Sequence, residues 1–250
     1  ESSMKTAVVT GHMSGMGKGA YELLKQKGYH VIGWDIQGEG DEKVDVRSAK
    51  EVAEAAARLT EPVDAVVLSA GVWKEMPLLE TTDEDWSYLM DTNAYGIFNC
   101  VRALVPHMHR DTAIAAISSA SGMRGVPFEA AYSASKFAVC GFAEAAAREL
   151  GPRGIRINVV CPFYVRTPMT DAALIEKEEL TGITVEESYK MEGDQVPLGR
   201  VAEPEDIAEL LYFLVSDASR YVTGAIIPIS GGTHCGYGPV LSSYDEKDVE

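Results

Sequence analysis

The stretch from Thr6 to Leu24 constrains the fold more than any other. Thr6-Ala-Val-Val-Thr10 is a β-branched run of strand length, Gly11-His-Met-Ser14-Gly15-Met16-Gly17-Lys-Gly19 follows at once, and a helical pattern carrying Tyr21, Leu23 and Leu24 comes next. In a strand, glycine loop and helix in that order, the glycines let the backbone approach a pyrophosphate. Its charge then rests on the free amides of the helix N-terminus. Gly28 closes the helix, and Tyr29-His-Val-Ile-Gly-Trp34 reads as a second strand ending at Asp35, 24 residues after Gly11. At about that offset a carboxylate accepts hydrogen bonds from the ribose hydroxyls of NAD and repels the extra phosphate of NADP.

A second constellation lies mid-chain. Ala113-Ile-Ala-Ala-Ile117 reads as a buried strand, with Ser118 and Ser119 just past its C-terminal end, and the alanine-rich run Ala130 to Leu150 reads as one long helix. Tyr132 and Lys136 sit four residues apart on that helix and so share a face. An ammonium beside a phenol favours the phenolate, so Lys136 is expected to lower the Tyr132 pKa from its usual ~10 toward a range useful for acid–base work. Strand ends of an α/β sheet are where ligands bind.

The glycine loop, Asp35, Ala70-Gly71, Asn93 in Asp-Thr-Asn-Ala-Tyr-Gly, Ser119 thirteen residues before Tyr132, Lys136, and Thr167 five residues after Pro162 follow one another in a set order. That order resembles the short-chain dehydrogenase/reductase family, and the resemblance runs from Lys5 to about Gly236. It implies an α/β fold: a single doubly wound Rossmann-type domain, a seven-stranded parallel sheet with helices on both faces, spanning residues 4–241. Residues 168–197 would form a substrate lid, and 242–250 an acidic, frayed tail. It further implies catalysis by Asn93, Ser119, Tyr132 and Lys136. NAD would be bound by Gly11, Ser14, Gly15, Met16, Gly17, Asp35, Ile36, Asp45, Val46, Ala70, Gly71, Tyr132, Lys136, Pro162, Val165 and Thr167. Asp45 and Val46, on the third strand, would reach the adenine, and Asn93 would help hold a water relay to Lys136.

Three positions depart from the family pattern. Leu68-Ser69 replaces the usual Asn-Asn before Ala70-Gly71, and Ser69 is expected to stand in for the missing amide that braces the sheet. Ser230 occupies a place where aspartate is usual, and Phe163 follows Pro162 where glycine is usual. With Trp73, Met123, Phe128 and Tyr164, Phe163 is read as a wall of the substrate pocket; Met169 lies nearby, and Arg124 and Arg166 are candidates for a substrate carboxylate. The expected reaction is NAD-dependent interconversion of a secondary alcohol, cyclic by this reading, and its ketone. The rival readings are an NADP-dependent ketoacyl-type reductase and a catalytically weak NAD-binding regulatory protein.

Composition narrows the partners. A net charge of -16 without a compensating basic cluster repels phosphate backbones and anionic lipid, which argues against nucleic-acid and membrane-surface roles. No apolar run approaches a membrane span. Cys100, Cys140, Cys161 and Cys235 show no Cys-x-x-Cys spacing, and His107 and His109, expected to close a helix, lack a third ligand, so neither metal nor disulfide is expected. A cytoplasmic homotetramer acting on a small-molecule alcohol or ketone completes the expectation.

Overall fold

The computed structural model describes residues 4–37 and 41–236; the expected tail at 242–250 lies outside them. In chain order the elements are β1 (Thr6–Thr10), α1 (Gly15–Gln26), β2 (His30–Asp35), β3 (Glu42–Lys43), α2 (Ala49–Ala57), β4 (Val63–Leu68), α3 (Asp83–Met90) and α4 (Gly96–Leu104). They continue with β5 (Met108–Ile117), α5 (Ala130–Leu150), β6 (Ile155–Pro162), α6 (Pro168–Thr181), α7 (Val185–Gly193), α8 (Pro204–Val215) and β7 (Ile226–Ile229). The seven strands form one sheet in the order β3-β2-β1-β4-β5-β6-β7. Every pairing in it is parallel. The strand order reverses between β1 and β4, which opens the crevice where such sheets bind ligands.

Successive side chains on β1 alternate between the two faces, as strand periodicity requires. Val8 packs with Trp34, Val52, Leu104, Ile114 and Val139 under α2, α4 and α5. Ala7 and Val9 pack with Leu24, Ile207 and Leu211 under α1 and α8. The doubly wound reading therefore holds, and α5 has the bounds read from the sequence.

Three elements differ from expectation. The third strand is Glu42–Lys43, pairing with Trp34 and Asp35, and Val44–Val46 follow it as a loop. The long helix expected between Asp83 and His109 is broken: α3 ends at Met90, a π turn spans Asp91–Tyr95, and α4 begins at Gly96. A π turn inserts one residue into the helical ladder and re-aims the side chains around it, here Asn93. His109 lies in β5 rather than in a helix, and its Nε2 stands 3.2 Å from Asp64 Oδ1.

Candidate active site

The glycine loop is shaped by backbone contact. A Cβ on Gly17 would lie 2.0 Å from the Gly11 carbonyl oxygen, and one on Gly11, whose φ is +67°, would lie 2.9 Å from Ala70 Cα. Only glycine lets the β1 exit, the start of α1 and the β4 exit meet this closely. Ser14 precedes α1 in extended conformation and makes no side-chain cap, so the first amides of that helix keep their donors for a ligand. Thr10 fastens the β4 exit: its hydroxyl accepts the amides of both Ser69 and Ala70 at 3.1 Å. The brace expected of Ser69 is thus supplied from β1.

Asp35 is nearly buried at the end of β2. Its Oδ2 accepts the Met13 amide at 3.0 Å, and its Oδ1 accepts the Gln37 amide at 2.9 Å. Asp45 is held differently. Its carboxylate is paired with Arg47, Nη2 to Oδ2 at 2.7 Å, and that guanidinium holds it below the ordinary carboxylate range. Ser48, not Asp45, caps α2. Val46 is positioned by Asn99, whose Nδ2 donates to its carbonyl at 3.0 Å. Asn99 was not singled out in the sequence, where it reads as one more polar residue on a helix.

Asn93 is fully buried in the π turn. Its Oδ1 accepts the Val72 amide and its Nδ2 donates to the Val72 carbonyl, both at 2.8 Å, and Nδ2 also reaches Ser135 Oγ at 3.0 Å. Asn93 therefore ties the β4 exit to α5 one residue from Lys136. A Cβ on Gly71 would stand 3.1 Å from Asn93 Oδ1 and 3.4 Å from Lys136 Nζ, so the chain leaves an open approach to the lysine there.

Ser119, Tyr132 and Lys136 converge at the C-terminal end of β5. Ser119 is close enough to the Tyr132 phenol to act on its titration, and its own Oγ accepts the Ser121 amide at 3.1 Å. Lys136 is buried, its Nζ 5.7 Å from the Tyr132 ring centre and 3.3 Å from the Ile117 carbonyl. The electrostatics differ from the expectation. Burial raises the Tyr132 pKa well above its ordinary value, with Ser119 acting against it, and burial pulls the Lys136 ammonium down to about 8. Loss of solvent around both groups outweighs the lysine's pull on the phenol, so Tyr132 carries its proton at neutral pH. Cys140, buried one turn further along α5, has its Sγ 3.5 Å from Ser118 Oγ, whose hydroxyl donates to the Lys136 carbonyl at 2.8 Å.

Thr167 caps α6 with Pro168 in its first turn, and it lies against the glycine loop, 3.4 Å from where a Gly15 Cβ would be. Val165 bridges to Ala202, and Pro162 ends β6. Phe163 and Tyr164 line a cavity of about 200 Å³ together with Val196, Leu198 and Ser230. Neither Ser119 nor Tyr132 lines this cavity. Trp73 is half-buried, whereas Met123, Phe128 and Met169 are exposed. Arg166 is committed elsewhere: it lies 2.6 Å from Glu186 and stacks over Tyr189 at 4.0 Å. Ser230 Oγ pairs with His234 Nδ1 at 2.8 Å.

Sequence reasoning missed Glu129. Its Oε1 accepts the Trp73 indole N–H at 2.7 Å and its Oε2 accepts the Ser121 hydroxyl at 2.6 Å. The available signal was its place one helical turn before Tyr132. The glycine cradle, the free start of α1, Asp35 and the buried lysine together fit a nicotinamide dinucleotide.

A family profile described as enoyl-(acyl carrier protein) reductase matches residues 11–234. The 3-oxoacyl-(acyl-carrier-protein) reductase FabG of Thermotoga maritima is 34% identical over 249 residues, covering 91% of this chain and 97% of that one. The enzyme of that name from Chlamydia trachomatis is 31% identical over 91% and 96%. Among solved structures, a short-chain dehydrogenase family protein from Francisella tularensis superposes with a TM-score of 0.88 at 30% identity, covering 94% of this chain and all of that one. An actinorhodin polyketide ketoreductase with NADPH superposes at 0.85 and 30% identity, over 92% and 97%. With these matches across nearly its whole length and the serine, tyrosine, lysine and asparagine gathered at one strand end, the chain belongs to the short-chain dehydrogenase/reductase family and is an oxidoreductase acting between carbinol and ketone.

Proposed function

We propose that this enzyme reduces a ketone of the 3-oxoacyl type to the secondary alcohol, with NADH as the preferred cofactor. The observation that carries the reading is the convergence of Ser119, Tyr132 and buried Lys136 at the end of β5, in a chain that matches the FabG relatives over nearly its whole length. A reductase needs an acid there, because the carbonyl oxygen must take a proton as carbon is reduced. A bound nicotinamide supplies the hydride. Ser119 then donates a hydrogen bond to the same oxygen, Tyr132 delivers the proton, and buried Lys136, low enough to exchange protons near neutrality, restores it.

The substrate class rests on the FabG relatives, which favour it over the cyclic alcohol expected from the aromatic wall. The preference for NADH rests on Asp35, whose buried carboxylate would face a 2′-phosphate with like charge. The ketoreductase with NADPH is the support for the opposite cofactor. Assay of ethyl acetoacetate with NADH and NADPH decides both points. NADH is expected to give at least ~10-fold higher kcat/KM, and Tyr132→Phe to lower turnover by ~10²-fold or more while leaving NADH affinity nearly unchanged. Equal rates with NADPH would overturn the cofactor assignment, and normal turnover by Tyr132→Phe the catalytic one.

The same reading includes a homotetramer. Tyr95, Phe98 and Phe137 on and beside α4 and α5 expose apolar surface that a second copy would cover. Light scattering at micromolar protein is expected to give the tetramer mass, and a monomer mass would rule it out. Among the described residues no helix is long and apolar enough to cross a membrane.

A further inference from the structure

Glu129 lies between the two loops that frame the reacting centre. Its carboxylate joins Trp73, on the β4 exit, to Ser121, on the β5 exit, and the Ser121 amide in turn donates to Ser119 Oγ at 3.1 Å. A chain of hydrogen bonds therefore runs from Trp73 through Glu129 and Ser121 to Ser119 at the end of β5. The preceding residue reinforces the join. Phe128 has a φ of +66°, rare outside glycine, and its carbonyl accepts the Met76 amide at 2.7 Å. The backbone is thus held in an uncommon conformation at the point that aims the Glu129 side chain inward.

Two further carboxylates lie on this side. Glu75 and Glu192 join Glu129 in acting on Tyr164, whose phenol is pushed up to about 12 mainly by burial and then by these carboxylates. Desolvation, followed by Glu75, raises Glu192, with Lys177 opposing. Of the cations, Lys136 lies buried beside the Tyr132 ring, with its Nζ on the Ile117 carbonyl, and Lys177 faces Glu192; Lys74 is paired with Asp85, Arg166 with Glu186 and Glu203, and Arg124 on the β5 exit is exposed and has interactions of its own.

We propose that Glu129 sets the charge selectivity of the substrate pocket, admitting 3-oxoacyl groups whose carboxyl is masked as an ester, thioester or amide and rejecting the corresponding free acids. This inference rests on the ketone-reductase reading above and narrows it. A 3-oxo acid places its carboxylate two bonds from the carbon that takes the hydride, so it must bring a negative charge beside the Glu129 carboxylate in a partly desolvated site. A masked carboxyl brings none. Discrimination of this kind works by repulsion of the wrong substrate and needs no new attraction for the right one.

The test compares ethyl acetoacetate with acetoacetate, both reduced with NADH, in wild type, Glu129→Gln and Glu129→Asp, each checked for folding by thermal melting. Wild type is expected to favour the ester by ~10-fold or more in kcat/KM. Glu129→Gln, which can still accept one of the two hydrogen bonds, should shrink that ratio at least ~5-fold, and Glu129→Asp, which keeps the charge, should preserve it. The Gln variant should also shift the Tyr132-dependent limb of the pH–rate profile to lower pH, since Glu129 is one of the charges raising that phenol. A merely structural brace would slow both substrates alike and leave the limb in place. An unchanged ratio in Glu129→Gln, or an equal change in Glu129→Asp, overturns the charge assignment and leaves the reductase reading standing. Failure of wild type to reduce the ester overturns the reductase reading, and this inference with it.

Discussion

At the strand ends, the glycine-loop side is made of closely packed backbone, and the side around Phe163 and Tyr164 is made of side chains. Around Gly11, Gly17 and Ala70 main-chain atoms nearly touch, with Asp35 buried beside them. Across the sheet α6 and α7 share a small core of Leu174, Tyr189 and Val201, and Met123, Phe128 and Met169 face solvent. A site built from backbone accepts one ligand shape, because no rotamer change can enlarge it. A site built from loop side chains can be refitted by substitution without disturbing the sheet, which is how one fold serves many substrates.

The largest expected effect tests that contrast with the same chemical change on each side. Gly17→Ala drives a Cβ into the Gly11 carbonyl, whereas Gly125, on the β5 exit, has nothing within 4 Å of the corresponding point. Overpacking of this kind costs ~1–3 kcal/mol, so Gly17→Ala should weaken NADH binding by roughly 10- to 100-fold and Gly125→Ala should leave it unchanged. Fluorescence titration with NADH measures both. Equal tolerance at the two positions would break the distinction.

Lys136 sharpens it, since this side chain is held in the backbone-lined region at a cost to the fold. Its pKa falls from about 10.5 in the unfolded chain to about 8 in the native one, so the unfolded state binds more protons between those values and stability rises with pH across that window. Lys136→Met removes the buried ammonium. It should abolish turnover yet raise Tm by about 2–4 °C near pH 7, the scale of ~1 kcal/mol in a chain of this length, and the gap from wild type should close as pH rises from about 8 toward 10.5. A Tm below wild type at pH 7 would mean that the bond to Ile117 outweighs desolvation.

The smallest effect lies on the substrate side. Phe163→Gly opens the wall shared with Tyr164, Val196 and Leu198, and should change relative rates across a panel of ketones by several-fold while moving NADH affinity little. Loss of NADH affinity with unchanged relative rates would assign Phe163 to the cofactor turn.

The order of elements, the faces they bury and the meeting of Tyr132 with Lys136 were legible in the chain, because each depends on spacing: period two in β1, a four-residue step from Tyr132 to Lys136, glycines at a strand exit. Local spacing carries no information on solvent, so the sign of the Tyr132 shift was misread. The lysine is near in sequence, but only packing determines how much water both groups lose. Partners distant in the chain were equally hidden. Thr10 reaching the amides of Ser69 and Ala70, Asn99 holding Val46, and Glu129 joining Trp73 to Ser121 are contacts between loops brought together by the sheet. By itself the sequence determined the sheet and the glycine turn at its first strand exit, and it proposed Ser119, Tyr132 and Lys136 as neighbours, since local patterns specify these. Only the tertiary structure decided how far Tyr132 and Lys136 are removed from water and which loops Glu129 joins, because both depend on residues distant in the chain.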